Sequence, residues 1–372
     1  MKPKSATAVL PDGPITVMRL PGVPEPGPAN AALFAAARNV AAARAFITGP
    51  GATATALWVA RAGAAVTYWT ENAAEGQSLQ ASFAHNRLPA PQCFVQADFA
   101  GLEPAICEAA FLHLPRGREM QKEALHLSAA VLRPGGKLVF VGATREGVKS
   151  ALQQARTIFG QAGIVIRKGG YHAGLAQRPE GEFPFPTVRR TERDIGVDGV
   201  PTRLVSYAGA FAPDRLDDGA AALIAGMQAP SGAHVLDLGC GTGLVGLAAL
   251  RRGADIMLTD VSARAVLSTR ETLAANGYPD VPITHTCGAT AVEAATCDVV
   301  VANPPFHQGH GLHFEVAQFF IEEAARVLKA DGRLYLVANA FLNYEPWLKA
   351  HFARVQKVRS DRRFHVWKAT KV

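Results

Sequence analysis

The chain repeats itself. The stretch "AFITGPGATATALWVARAGAAVTYWTENA", beginning at Ala45, matches "HVLDLGCGTGLVGLAALRRGADIMLTDVSA", beginning at His234, with Gly49 on Gly239 at an offset of 190 (239 minus 49). At that offset Gly51 falls on Gly241, Arg61 on Arg251, Gly63 on Gly253 and Pro115 on Pro305. Further on, "VLRPGGKLVFVGA" at Val131 matches "VLKADGRLYLVANA" at Val327, an offset of 196, so the second copy carries six extra residues after "NPPF". A register held over 66 residues (115 minus 49) means that one structural unit occurs twice. The length of 372 residues suits two domains of ordinary size.

In the second copy, apolar runs at 235–238, 255–259, 299–302 and 334–337 alternate with helical patterns at 244–252, 261–276 and 314–328, the last stopped by Gly332. Such alternation builds a parallel sheet with helices on both faces. The valine run at 299–302 suits a strand covered on both sides. Residues 193–211 read as a hairpin opening the second domain, and residues 355–370 as two antiparallel strands at the sheet edge. The Pro/Gly-rich stretch 177–188 reads as the join, which gives domains 1–183 and 184–372, and residues 21–28 read as an irregular loop.

Composition narrows the function classes. Apolar residues make up 49% and charged residues 19%, enough for sizeable cores, yet no apolar run approaches the ~20 residues of a membrane helix. The first residues lack a signal peptide's apolar region, so the expectation is a cytoplasmic protein without membrane contact. The five cysteines are odd in number and form no CxxC, which argues against a disulfide framework or a metal site. The formal charge is +7. Residues 1–185 hold 18 Lys+Arg and 12 Asp+Glu, a net +6, and the remainder 20 and 19, a net +1. A basic surface attracts nucleic-acid phosphates.

"VLDLGCGTG" sets Gly239, Gly241 and Gly243 at the end of the first strand of the second copy, where the backbone must turn sharply and a ligand can lie against it. The spacing is neither GxGxxG nor the phosphate-cradling loop with its Lys-Ser/Thr. Asp237 stands where a carboxylate could hold a cationic amino group, and Asp260, ending the second strand, could accept both hydroxyls of a ribose. Two carboxylates suit S-adenosylmethionine better than a dinucleotide, whose pyrophosphate they would repel. The candidate cofactor set is Asp237, Gly239, Cys240, Gly241, Gly243, Asp260 and Val261. The first copy has lost it: Ile47, Thr53 and Thr70 stand at the places of Asp237, Gly243 and Asp260, and His113 and Leu114 at those of Asn303 and Pro304. One cofactor per chain, in the carboxyl-terminal half, is the expectation.

"NPPF" follows the valine run directly. An exocyclic amine on a base or an amide is a poor nucleophile, because its lone pair is delocalised. The side-chain carbonyl of Asn303 and the main-chain carbonyl of Pro304 are two acceptors for one NH₂ group. Pro304 and Pro305 stiffen them, since proline fixes its own φ and restrains the residue before it. That is preorganised stabilisation of a developing positive charge, and Phe306 would stack on the extruded base. His307 and His310 lie on the insertion and read as solvated loop residues in preference to substrate contacts. Asp217 and Gly219 read as a helix cap, either plain or covering the cofactor.

"VLDLGCGTG", "DVVVANPPFHQG", "VANAFLNY" and the terminal "RRFHVWKA" resemble the ribosomal RNA small-subunit methyltransferase C family and its large-subunit relatives, as do "FVGATREGVKSA" in the first copy and "GAFAPDRLDDG" before the second. The resemblance covers most of the chain. It implies two tandem Rossmann-like class I methyltransferase domains with mixed, mostly parallel seven-stranded sheets, the N-terminal one degenerate and serving folding and RNA recognition. It implies methyl transfer to N2 of one guanine in ribosomal RNA, that of the small subunit first, on RNA as such or on the assembled 30S subunit; a monomer is the expectation. It also implies Asn303, Pro304, Pro305 and Phe306 as the target-base site. Related enzymes often carry an acidic or amide residue after the third strand to contact adenine; here Cys287 and Gly288 stand there. Adenine- and glutamine-methylating enzymes use similar tetrapeptides, so these acceptors stay open, as does a non-catalytic RNA-binding assembly factor, against which the intact Asp237, Asp260 and Asn303 argue.

Overall fold

The computed structural model describes residues 3–305 and 310–372, with side chains 310–313 left out. The chain divides into two compact units, Met1–Val188 and Arg189–Val372. The first holds β1 (Lys4–Leu10), β2 (Gly13–Arg19), α1 (Pro28–Ala36), β3 (Arg44–Thr48), α2 (Thr53–Arg61), β4 (Ala65–Thr70), α3 (Ala73–His85), β5 (Gln92–Val95), β6 (Cys107–His113), α4 (Arg118–Val131), β7 (Leu132–Ala143), α5 (Val148–Phe159), β8 (Ala162–Lys168) and β9 (Tyr171–Gln177). The second holds β10 (Arg190–Val197), β11 (Val200–Tyr207), α6 (Asp218–Gly226), β12 (His234–Leu238), α7 (Leu244–Arg251), β13 (Asp255–Asp260), α8 (Ala263–Ala275), β14 (Ile283–His285), β15 (Cys297–Ala302), α9 (His310–Val327), β16 (Leu328–Asn339), α10 (Glu345–His351), β17 (Arg354–Ser360) and β18 (Phe364–Thr370).

Each unit is a seven-stranded sheet, in the order β5-β4-β3-β6-β7-β9-β8 and β14-β13-β12-β15-β16-β18-β17. All pairings are parallel except those of β9 and β18, which run antiparallel to both neighbours. This is the doubly wound arrangement expected from the alternation, and the two edge strands expected at 355–370 are β17 and β18. β3, β4 and α3 lie 190 residues before β12, β13 and α8, and β7 lies 196 before β16. Helices cover both faces of the first sheet, burying Ile47, Leu57 and Tyr68 on one side and Phe46, Leu138 and Phe140 on the other. In the second, Leu223, Leu247, Leu258, Tyr335 and Val337 share one core.

The repeat extends further than the sequence reveals. The expected hairpin β10–β11 has a counterpart in β1–β2. Both lay an edge along a helix that offers hydroxyls to unpaired backbone groups: Leu20 and Met18 donate to Ser78 and Ser82 of α3, and Tyr207 and Val205 donate to Ser268 and Thr272 of α8. Buried backbone amides need such partners.

Three expectations need correction. The junction falls after Val188, five residues beyond 183, because Phe183, Phe185 and Val188 pack onto the core of the first unit. Gly332 does not end the helix; α9 stops at Val327, and Leu328 passes at once into β16, pairing with Cys297, while Asp331 takes the left-handed turn at φ 58°. The helix expected over 261–276 begins at Ala263 because the Ser262 side chain caps it, accepting from Ala265 N at 3.1 Å.

The close packing of β9 on β7 yields a test. A Cβ at Gly174 would stand 2.4 Å from Phe140 Cζ and 2.9 Å from Gly163 O. Gly174→Ala should therefore destabilise the first unit by about 1–3 kcal/mol, read as a lower urea midpoint with unchanged m.

Candidate active site

The strand ends of the second sheet gather the sequence-derived residues. Gly239, Gly241 and Gly243 follow β12, all at positive φ (79°, 59° and 79°). At Gly239 and Gly243 a side chain is excluded twice over, since a Cβ would meet Phe320 at 2.9 Å and Thr269 at 2.8 Å. At Gly241 a Cβ would meet nothing within 4 Å among the described residues, so this side of the loop is open. Cys240 is turned inward: its Sγ lies 3.3 Å from Thr269 Oγ1, its amide donates to Thr259 O and its carbonyl accepts from Gly243 N. Burial pushes its thiol well up, so it shapes the loop as a neutral filler.

Two carboxylates brace the loop. Asp237 is 2% exposed and its Oδ2 accepts from Gly246 N of α7 at 2.9 Å. Burial pushes its pKa up to about 7, against the lowering hydrogen bond from Gly246 and with a smaller upward push from Asp260. Asp260 is half-buried; its Oδ2 accepts from Gly241 N and its Oδ1 from Ser262 N, both at 2.8 Å. Val261 is half-buried beside it, and its carbonyl oxygen lies 2.9 Å from His285 Nε2. On the far side, a Cβ at Gly288 would meet Phe319 at 2.5 Å, so the neighbouring phenylalanines Phe319 and Phe320 of α9 support both walls of this cleft. The cleft has an open loop, a diol-sized carboxylate and a buried acid short of a positive charge. Those features fit the cationic, ribose-bearing S-adenosylmethionine.

Asn303 leaves the end of β15 half-buried, followed by buried Pro304 and half-buried Pro305. Its Nδ2 donates to Asp217 Oδ2 at 3.2 Å. The same oxygen accepts from Gly219 N at 3.0 Å and Ala220 N at 3.2 Å, capping α6. A carboxylate only accepts, so it dictates that the amide presents its nitrogen there. Asn303 Oδ1 is left buried with no partner among the described residues. An orphaned buried carbonyl costs free energy unless something supplies a donor. Gly219 lines the same spot: a Cβ there would lie 3.2 Å from Asn303 Oδ1 and 3.5 Å from Phe364 Cε1. Phe306 and His307 lie outside the described residues, as does the side chain of His310.

Two contributors were not legible as such in the sequence. Asp217 reads there as a helix cap, plain or covering the cofactor, and its hold on Asn303, 86 residues away, is tertiary. Phe364 sits in "RRFHVWKA" with no local mark of its proximity to Asn303.

The first unit shows how the same frame is closed. Glu75 takes over the glycine-loop contact, its Oε1 accepting from Gly51 N at 3.1 Å and its Oε2 from Thr70 Oγ1 at 3.2 Å. Burial holds this acid at about 7. Pro24, from the irregular 21–28 segment, lies 3.2 Å from where a Gly51 Cβ would be, on the side that is open at Gly241. His113, in the place of Asn303, is spent on Thr55 Oγ1 at 2.9 Å, and burial lowers its pKa to about 4. Asp217 has Gly27 as its counterpart (217 minus 190), which caps α1 without a carboxylate.

Comparisons with known proteins agree with this geometry. A family model described as "Methyltransferase small domain" matches residues 201–368, all inside the second unit. A ribosomal RNA small subunit methyltransferase C of Stutzerimonas stutzeri is 33% identical over 319 residues, covering 83% of this chain and 90% of that protein. The Pseudomonas aeruginosa protein of the same name is 35% identical over 271 residues, 70% of this chain and 78% of that one. Among solved structures, a 16S rRNA N2 methyltransferase (RsmC) of T. thermophilus, in complex with AdoMet and guanosine, superposes with a TM-score of 0.82 at 25% identity, covering 99% of this chain and 98% of that one. With two like sheets, one open and one closed site, and this similarity along most of its length, the chain belongs to the ribosomal RNA small subunit methyltransferase C family.

Proposed function

We propose that the Arg189–Val372 unit methylates the exocyclic N2 of a guanine in 16S ribosomal RNA, at the amide of Asn303. The chain is an S-adenosylmethionine-dependent rRNA methyltransferase by family and fold. The observation that carries the site is the buried Oδ1, without a partner among the described residues, of an amide whose other end is pinned by Asp217.

The glycine loop, Asp237, Asp260 and Val261 would hold the cofactor, with adenine between Val261 and the Cys287–Gly288 turn. Bound there, S-adenosylmethionine supplies a methyl group activated by a sulfonium. Asn303 Oδ1 accepts one hydrogen of the guanine NH₂, and the Pro304 carbonyl accepts the other. As the nitrogen would form its bond to the methyl carbon and the carbon–sulfur bond break to leave a neutral thioether, positive charge would grow on the nitrogen and both acceptors would tighten. This favours the transition state over the ground state. The extra proton on the methylated nitrogen is acidic and passes to water, so the site needs no strong base. Phe364 walls the base pocket, and Phe306 is the proposed stacking partner.

Filling of the first unit's cleft by Pro24 and Glu75 supports a single cofactor per chain. The finer readings belong to the same proposal: a cytoplasmic monomer that takes its ribosomal RNA either free or in assembled 30S subunits. Their support is that one polypeptide carries every residue assigned to the base site, and that ribosomal RNA is the substrate of its family. No helix among the described residues is long and apolar enough to cross a membrane.

Labelled cofactor, unmethylated 30S subunits and nucleoside digestion test the reading: label should appear in N2-methylguanosine. Label in methyladenine, or in protein as methylglutamine, would replace it. Calorimetry should give one binding equivalent of S-adenosylmethionine per chain.

Asn303→Ala should cut kcat by about 100-fold with cofactor affinity unchanged. Asp217→Ser separates positioning from capping. The serine hydroxyl can cap α6, so stability should change by less than about 1 kcal/mol. The loosened amide should still lower kcat by about tenfold or more.

Cofactor affinity should depend on pH. Asp237, at about 7 in the free protein, must ionise to meet a cation, so binding releases a proton. Affinity should rise from pH 6 to 7 and level off above 7, with proton release measurable by calorimetry in two buffers. Conversely, a folded pKa above the ordinary 3.8 means that this acid stabilises the cofactor-free unit at low pH, and that contribution fades as pH climbs toward 7.

A further inference from the structure

The rim of the base pocket carries an aromatic ring in water. Phe341, two residues past β16, is 81% exposed, the largest exposure of any phenylalanine among the exposed apolar residues. Its loop is tied to the turn between β17 and β18, Ala340 N donating to Arg363 O at 2.8 Å. That turn reaches the pocket itself, since Arg363 pairs with Asp218 at 2.6 Å and Phe364 stands beside Gly219 and Asn303.

The hairpin is strongly basic. Residues 354–370 hold six Lys+Arg against one Asp, a net +5. Arg359 and Arg362 are exposed on it, and β17 is the outermost strand of the sheet. Edge strands often carry cations to prevent association with other chains, so charge alone decides nothing. The first unit supplies an internal control. Its equivalent edge hairpin, residues 162–177, holds two Lys+Arg and no acid, a net +2, and Arg145 stands where Phe341 is (341 minus 196). The same edge therefore manages with far less charge and no exposed ring where the site is closed.

Resting on the function proposed above, we infer that this rim grips the unpaired RNA flanking the target guanine, with Phe341 stacking on a neighbouring base and Arg359 and Arg362 contacting its phosphates. An extruded base leaves neighbours without a stacking partner, and an aromatic face beside cations is the usual platform for single strands.

The test uses the full chain, unmethylated 16S rRNA and 30S subunits made from it. Phe341→Ala should weaken RNA binding about 5- to 100-fold, and Phe341→Trp should restore it. The double change Arg359→Gln, Arg362→Gln should flatten the slope of log K against log salt by about 1.4, at ~0.7 per phosphate contact. Both variants should bind S-adenosylmethionine normally and keep kcat at saturating RNA, since neither touches the reacting atoms. If the parent chain methylates N2 of guanine while both variants match its RNA affinity and salt slope, the docking surface is wrong and the function stands. If the parent chain puts no methyl on guanine, both fall together.

Discussion

A carboxylate can only accept hydrogen bonds, and the candidate site of the second unit is organised by that constraint. Asp217 Oδ2 receives three N–H groups, two from the first turn of α6 and one from Asn303. The helix terminus favours the anion, and the anion decides which way the amide faces. Without it the side-chain amide of Asn303 could rotate by half a turn and offer NH₂ to a substrate NH₂, a repulsive meeting. The two prolines that follow hold the backbone, and Asp217 holds the side chain. On the proposed function, both serve to hold the acceptor in place before the substrate arrives.

The duplicated unit shows the same logic in reverse. Its sheet, helix faces and even the hydroxyls beneath its hairpin are preserved, yet the groups in the places of Asn303 and the glycine-loop amide are satisfied internally. His113 is bonded to Thr55, the Gly51 amide to Glu75, and Pro24 fills the open side of the loop. Gly27 caps where Asp217 would stand. Among the described residues, the strand end of this closed site shows no unpaired buried acceptor in the place of Asn303 to attract a ligand. What remains is a stable fold free to take up another role.

Much of this was legible in the sequence because it is local and periodic. The glycine spacing, the valine run and the helical patterns each carry their structure within a few residues, and the repeat multiplies the signal. The irregular 21–28 segment was legible as a loop, but not as the plug of a cleft, because its partner Gly51 is more than twenty residues on. Asp237 illustrates a different gap. Its place before the turn is evident, whereas its burial and its bond to Gly246 depend on how α7 packs. The junction at Val188 was missed because proline- and glycine-rich composition signals a link, while Phe183 and Phe185 bind that link to a core.

The charge pattern of the second unit reconciles two ligands of opposite sign. Its cofactor is a cation and its substrate a polyanion, and both must meet within a few ångströms. Residues 186–348 hold 12 Lys+Arg against 18 Asp+Glu, a net −6, while residues 349–372 hold eight against one, a net +7. Acids gather around the proposed cofactor site, among them the buried Asp237 and half-buried Asp260, whose fields are little screened. Cations gather on the edge hairpin in water, where phosphates can reach them and counterions can be released. Asp218 and Arg363 meet at the seam. Had the signs been mixed evenly, the phosphates would have faced carboxylates at the pocket mouth. Under the proposed function, segregation lets the uncharged base pass between the two fields to the neutral amide of Asn303, which Asp217 holds from behind.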